Sequence, residues 1–219
     1  MSHLDQAAAR IGQYRALRRV QQALVEQMIG FLTAEDLDRS ARALGFWEAG
    51  RPALRDPMHA ALVYEVALYD DRDEEGVSLI ERAASANPGV EVLAAMASAR
   101  VDFWQVEEVR AQAAALRVVS RLAGRALWLT DEGLGQSAAA GDVLVLRPLQ
   151  VGALALTSGV ALPIPASLVE PTVAALIMGA GVGGAEELAT LPPAEASLCA
   201  VSLLSLSAAA GATARLRPR

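Results

Sequence analysis

The hydrophobic repeat of this 219-residue chain changes period near residue 100, and that change constrains the fold more than any other feature. Before it, apolar residues fall at helical spacing. Leu4, Ile11, Leu17, Val20, Leu24, Met28 and Phe31, with Gln and Arg between them, predict one long helix over Leu4–Phe31. Thr33 stands as a cap before Glu35 and Asp36, where the helix dipole favours acids, and opens a second helix running to about Gly45. Arg51–Asp56 reads as a loop. Asp56 and Pro57 cap and start a third helix, which carries Leu62, Val63, Val66 and Leu68 to about Tyr69. After the acidic turn Asp70–Gly76 come two short helices, Val77–Ala86 and Val90–Ala99, parted by Asn87-Pro88-Gly89.

Beyond Ala99 the segments are short and apolar or alternating: Val101–Val109, Leu116–Leu122, Arg125–Thr130, Asp142–Leu149 and Ala153–Ser158. Gly124, Asp131–Gly135, Gly141-Asp142, Gly152 and Gly159 separate them. Five strands at this spacing predict one small antiparallel sheet or barrel, with Trp104 and Trp128 at least partly buried in or beside it. Leu162-Pro163-Ile164-Pro165 reads as a loop leading to a helix from Ser167, with Pro171 tolerated near its first turn. Glu186–Leu191 and Ala194–Ala210 are helical, and Thr213–Arg219 is a loose tail. The expected fold is therefore α+β: a helical module over residues 1–99, the sheet or barrel over 100–165, and a helical C-terminal segment over 166–219.

Composition excludes several chemistries. The chain has no lysine, all 19 basic residues being arginine, so neither a Walker A lysine nor a lysine Schiff base is available. One cysteine, Cys199, and two histidines, His3 and His59, cannot build a structural zinc site or an internal disulfide. No metal and no cofactor is expected. The net charge of −6 lies in residues 1–110, with 18 acids against 12 arginines. From Pro148 to Ala214 there are four acids and no base. Such a chain is a poor general partner for nucleic acid, whose affinity comes from neutralised phosphates. Met1–Gln6 is polar with no apolar stretch behind it, so no signal peptide is expected. The uncharged Ala196–Ala214, mostly Ala and Ser, reads as a buried helix and tail rather than a membrane span.

The motifs that carry chemistry are incomplete. Gly179-Ala180-Gly181-Val182-Gly183-Gly184 fits a dinucleotide fingerprint, but it follows a helix and only 35 residues remain after it, so it reads as a linker. Asp71-Arg72-Asp73-Glu74-Glu75-Gly76 starts like a calcium loop, yet Arg82 stands where the closing bidentate Glu belongs. His59 and Cys199 lack the neighbours that catalysis needs and read as structural. Asp102, Glu107 and Glu108 are the carboxylates of the first strand, where alternation places Glu107 and Glu108 on opposite faces. Arg117, Arg121 and Arg125 are the basic cluster of the sheet. Arg121 and Arg125 flank the Ala123-Gly124 turn, so they can meet across a hairpin and contact an anion or a nucleic acid.

Val101–Pro165 resembles a region of uncharacterised bacterial proteins that often end in a SEC-C zinc motif. The matching residues are Phe103-Trp104-Gln105-Val106-Glu107-Glu108-Val109, Gly141-Asp142-Val143-Leu144 and Ser158-Gly159-Val160-Ala161-Leu162-Pro163-Ile164-Pro165, with Ser78-Leu79-Ile80-Glu81-Arg82 upstream. The resemblance spans about Val77–Ile177 and implies a helical part plus a small sheet. The cysteine-rich zinc tail is absent, Cys199 being the one cysteine, so the resemblance implies no zinc role and no activity.

The leading functional expectation is a non-catalytic interaction or scaffold protein of a bacterial cytosol, self-associating as a dimer or binding another protein, with no membrane partner. It rests on the incomplete motifs and on the scarcity of charge after Pro148. Two alternatives stand beside it. One is a nucleic-acid-associated module using Arg117, Arg121 and Arg125. The other is an enzyme whose site is assembled between modules, around His59.

Overall fold

The computed structural model describes residues 3–211. The tail expected to be loose, Thr213–Arg219, lies outside the described residues. The chain is α+β. Its helical part consists of α1 (His3–Ile29), α2 (Ala34–Ala43), α3 (Pro57–Tyr69), α4 (Leu79–Ala86) and α5 (Glu91–Ser98). Caps set these starts, at Thr33 and Asp56 where the sequence places them and at Ser78 one residue into the expected Val77–Ala86 helix. Thr33 and Ser78 each form a reciprocal capping box, with Asp36 and Glu81, and the Asp56 carboxylate accepts from the His59 amide ahead of Pro57. A two-residue hairpin, β1 (Trp47–Glu48) with β2 (Arg51–Pro52), replaces part of the expected loop after α2.

The five expected strands are present as β3 (Asp102–Arg110), β4 (Ala115–Ser120), β5 (Ala126–Thr130), β6 (Val143–Val151) and β7 (Leu154–Ile164). They close into a barrel in the order β3-β4-β5-β7-β6. β3 and β6 close it antiparallel, β5 and β7 run parallel, and α6 (Glu132–Ser137) sits between β5 and β6. That connectivity is the Greek key of an OB-type barrel. Trp104, Val106, Leu116, Val118, Leu129, Leu144 and Leu146 fill its interior, sealed by Leu134 of α6. Trp104 is fully buried and Trp128 half-buried, as the strand pattern predicts.

Two local readings change. β7 runs through the Leu162–Pro165 stretch that reads as a loop, and Pro163 pairs with Leu144 of β6. Proline is tolerated there because β5 meets β7 only at Ala155, which leaves the far half of β7 an edge on its other side. Glu107 and Glu108 do not alternate. A bulge between Val106 and Glu108 inserts one residue, and both side chains are exposed.

Two further clusters lie outside the barrel. In one, Phe103, Val143, Val145 and Leu162 pack against α2, α3 and the C-terminal helices α7 (Val169–Ala180), α8 (Ala185–Ala189) and α9 (Pro193–Gly211). In the other, Leu149, Val151 and Leu156 pack against α1, α4 and α5. Gly181, in the left-handed conformation at φ 67°, ends α7, so the glycine run is a helix–helix linker. Among the described helices, α9 is long and apolar enough to cross a membrane by length and composition. Its inner face nevertheless carries Ala200, Leu203 and Leu204 into the core.

Trp104 has no exposed surface and occupies the centre of the barrel. Trp104→Ala is expected to cost about 3–5 kcal/mol of stability, read from urea unfolding; an unchanged midpoint would contradict this packing.

Candidate functional site

β6 is buried along nearly its whole length, and in the middle of it stands a charge. Val143 and Val145 belong to one outer cluster and Leu149 and Val151 to the other, so Arg147 lies at the seam between them. Its guanidinium donates to Glu65 of α3 at 2.9 Å, to the Ala99 carbonyl at the end of α5 at 3.1 Å, and to Asp70, which ends α3. It also lies over the Tyr69 ring, 4.4 Å from the centroid. All three charged side chains are buried. Two carboxylates face one cation, and burial pushes the Asp70 carboxyl up to about 6 against the opposing pull of Arg147.

On one side of this triad opens a cavity of about 240 Å³. Its floor is the barrel end where β3 begins and the β4–β5 hairpin turns, and its roof is α7, α8 and α9. Leu122, Leu176, Leu188 and Leu203 give it an apolar wall, with the Ser98 and Thr190 side chains at its margin. Asp70, Arg147, Arg100, Asp102 and Arg125 supply its charge.

Asp102 is 5% exposed. Its Oδ2 accepts from the Ser120 hydroxyl, which in turn accepts from the Ala123 amide at 2.7 Å. Its Oδ1 has no hydrogen-bond partner. Of the buried side-chain atoms left without a partner among the described residues, this is the one whose residue lines the cavity. Burial pushes the Asp102 carboxyl up to about 6, with Ser120, the Phe103 and Leu122 amides and the Arg125 cation pulling the other way. Arg100 is half-buried, and burial followed by the nearby Arg72 cation depresses its pKa. Neither Arg100 nor Arg125 makes an ion pair with a described residue. Arg125 lies over the Trp104 ring at 5.4 Å, and Arg72 is taken by Glu81. The cavity is thus lined by two guanidinium groups outside any ion pair among the described residues, Arg100 half-buried and Arg125 exposed beside the buried Asp102 carboxylate.

The basic trio singled out from sequence is dispersed. Arg117 pairs with Glu107 across β3–β4, Arg121 with Glu170 at 2.8 Å and with Gln105, and only Arg125 reaches the cavity. The outer face of β4 and β5 is where OB-type barrels bind oligonucleotides. Here it carries Trp128 opposite Arg117, but Arg110 already lies over Trp128 at 4.2 Å and Arg117 is paired. His59 is stacked on Phe46 at 4.2 Å, accepts the Arg55 amide at Nδ1, and does not line the cavity. Cys199 does line it, half-buried, with burial raising its thiol pKa, so it is not poised as a thiolate. The acidic turn is held by Asp73, whose Oδ1 accepts from the Glu75 and Val77 amides and whose other oxygen accepts from Arg82. No group of three or more potential metal ligands occurs among the described residues. Sequence reasoning missed Asp70, Arg100 and Arg147. The signal for Arg147, and for its partner Glu65, was the lone charge in an apolar run, Val143–Leu149 and Leu62–Leu68; Asp70 and Arg100 carried none.

The raised carboxyls have a consequence for stability. Asp70 and Asp102 hold their protons to about pH 6 in the folded chain but only to about 4 when unfolded. Between those values the folded state binds more protons, so stability rises as pH falls through 6. Asp36, Asp73, Glu81 and Glu132, whose pKa values are lowered, oppose this only at more acidic pH. The melting temperature is expected to be higher near pH 5 than near pH 7, and the difference to shrink in Asp102→Asn. A melting temperature that falls as the pH is lowered from 7 to 5 would refute the burial of these groups.

A family model matches residues 8–168, and its description is a family of unknown function, DUF7986. The match covers well over half of the chain, and the chain belongs to that family. No curated protein and no solved structure matches it.

Proposed function

We propose that this member of a family without an assigned activity is a binding protein, and that a small anionic molecule occupies the cavity between the barrel and the C-terminal helices. The observation that carries the reading is the pair Arg100 and Arg125. Both line one mostly apolar cavity and neither is neutralised by an ion pair among the described residues. Elsewhere the described arginines of the fold are largely committed: Arg18 to Asp131, Arg39 to Asp36 and Asp71, Arg72 to Glu81, Arg147 to Glu65 and Asp70. Arg100 is half-buried and Arg125 exposed; the half-buried guanidinium without a counter-ion is the costly one, and a carboxylate or phosphate bound between the two removes that cost through charge-assisted hydrogen bonds. The test is a thermal-shift panel of small carboxylates and phosphate esters at constant ionic strength. At least one class should raise the melting temperature, by roughly 5–10 °C at a hundredfold excess over Kd. Arg100→Gln and Arg125→Gln should each diminish the shift. A panel with no arginine-dependent shift would reject the reading.

Self-association is the second reading, and a separate observation favours it. α9 presents Leu198, 71% exposed, and Leu206, 48% exposed, along one stripe, with Met178 of α7 79% exposed. The stretch from Pro148 to Ala214 has four acids and no base, so a charged partner finds little to pair with there. A second copy offering the same patch about a two-fold axis suits it. Light scattering at tens of micromolar should return a dimer mass for the parent and a monomer mass for Leu206→Asp. A monomeric parent would end the idea. Leu203, 1% exposed, faces the core, so its substitution is no test of an interface.

A further inference from the structure

We propose that the occupant of this cavity is a short aliphatic monocarboxylate, its head group held by Arg100 and its hydrocarbon chain laid against Leu122, Leu176, Leu188 and Leu203. The proposal rests on the anion-binding reading above and goes beyond it by fixing the charge of the ligand and the nature of its remainder. Arg147 is shared by Glu65 and Asp70, Arg72 is taken by Glu81, and Arg125 stands beside Asp102. Arg100, half-buried, is left without an ion pair among the described residues. One ligand carboxylate gives it the acceptor it lacks. A phosphate dianion or a dicarboxylate would bring a second negative charge into a cavity that Asp70 and Asp102 already line and that Glu65 and Glu81 approach from behind. Neither lining acid calls for a ligand cation. Asp70 is held by Arg147, and Asp102 has Ser120, the Phe103 and Leu122 amides and Arg125 beside it.

The rest of the wall matches hydrocarbon. Its four leucines come from separate segments: Leu122 from the turn after β4, Leu176 from α7, Leu188 from α8 and Leu203 from α9. Ala196 and Ala200 of α9 add two small apolar side chains to the same wall. A bare phosphate leaves these groups uncovered, whereas an aliphatic chain takes its own surface and theirs out of water, a gain of about fourfold in affinity per methylene. The volume of about 240 Å³ is below the usual range for drug-sized ligands and keeps the chain short.

The experiment is titration calorimetry on the full chain at neutral pH and constant ionic strength, with acetate, butyrate, hexanoate, adipate and inorganic phosphate as probes. Affinity should rise about fourfold for each methylene added from acetate to hexanoate. Adipate, which carries a second carboxylate at the far end of a chain of the same length, should bind at least about tenfold more weakly than hexanoate. Arg100→Gln should weaken hexanoate about tenfold, the step expected for a hydrogen bond between charged groups. Cys199, the one cysteine of the chain, lines the same cavity and reports where the probe sits. Saturating hexanoate should slow its alkylation by iodoacetamide. Affinity that does not grow with chain length, or adipate equal to hexanoate, overturns the monocarboxylate while leaving the anion reading intact. Hexanoate binding with no protection of Cys199 overturns its placement in this cavity. Arginine-dependent binding of phosphate alone overturns the monocarboxylate and keeps the anion site. If no probe binds and the thermal-shift panel is also silent, both readings fall together. Because the chain-length series and the Cys199 reaction are measured on the unaltered chain, a variant that fails to fold does not spare the proposal.

Discussion

The outer face of β6 can be covered by two separate helical layers only because Arg147 stands where they meet. A purely apolar residue there would have served one layer or the other. The guanidinium instead ties β6 to two helices at three points: α3 through Glu65, the end of α3 through Asp70, and the end of α5 through the Ala99 carbonyl. Buried ion pairs are not in general a source of net stability, because desolvation offsets the attraction. Losing one partner is costly all the same, and here it would strand two buried carboxylates. The triad therefore works as a registration device. It fixes how far α3 and α5 slide along the barrel, and with them the position of the segment from Ser98 to Asp102 that enters β3.

That position determines the cavity. Arg100 and Asp102 lie on the chain between α5 and the interior of β3, and Arg125 returns to the same end of the barrel from the β4–β5 turn. A closed five-stranded barrel is too small to hold a ligand inside, and Trp104 and Leu116 fill this one. Space is left only where a barrel end meets helices that do not follow its curvature. α7, α8 and α9 make that contact here. One face of these helices supplies Leu176, Leu188 and Leu203 to the core or the cavity wall, while the other leaves Met178, Leu198 and Leu206 exposed.

Period and caps made most of the fold legible in the sequence. Thr33 and Asp56 announced helix starts that capping hydrogen bonds enforce, and five apolar segments became five strands. The misses have local causes. Pro163 reads as a strand breaker unless one knows that half of β7 has a free edge. The bulge before Glu108 breaks an alternation that nothing in the local composition marks. α6 is a single capped turn hidden among the glycines of a segment that reads as a separator. The site was less legible because it is assembled from distant segments. Arg125 was visible as part of a basic cluster, but its relation to Arg100 and Asp102 exists only once the barrel closes. Asp70 looked like one more acid of a solvated turn, and pairing across the fold with Arg147 is what buries it.

The origin of the two halves of the cavity bears on how it can be used. Its charged floor, Asp70, Arg100, Asp102, Arg125 and Arg147, lies wholly within the segment that defines the family. Its apolar roof, Leu176, Leu188 and Leu203, lies beyond that segment. The floor is rigidly placed, since barrel strands and the buried triad hold it. The roof is attached through the short α8 and the glycine linker at Gly181. The two parts therefore answer to different constraints. The floor sets which polar groups a ligand must present and how they are spaced. The roof sets the size and shape of the apolar remainder through Leu176, Leu188 and Leu203, which also belong to the core cluster beneath them. A division of this kind separates recognition of a chemical class from choice among its members.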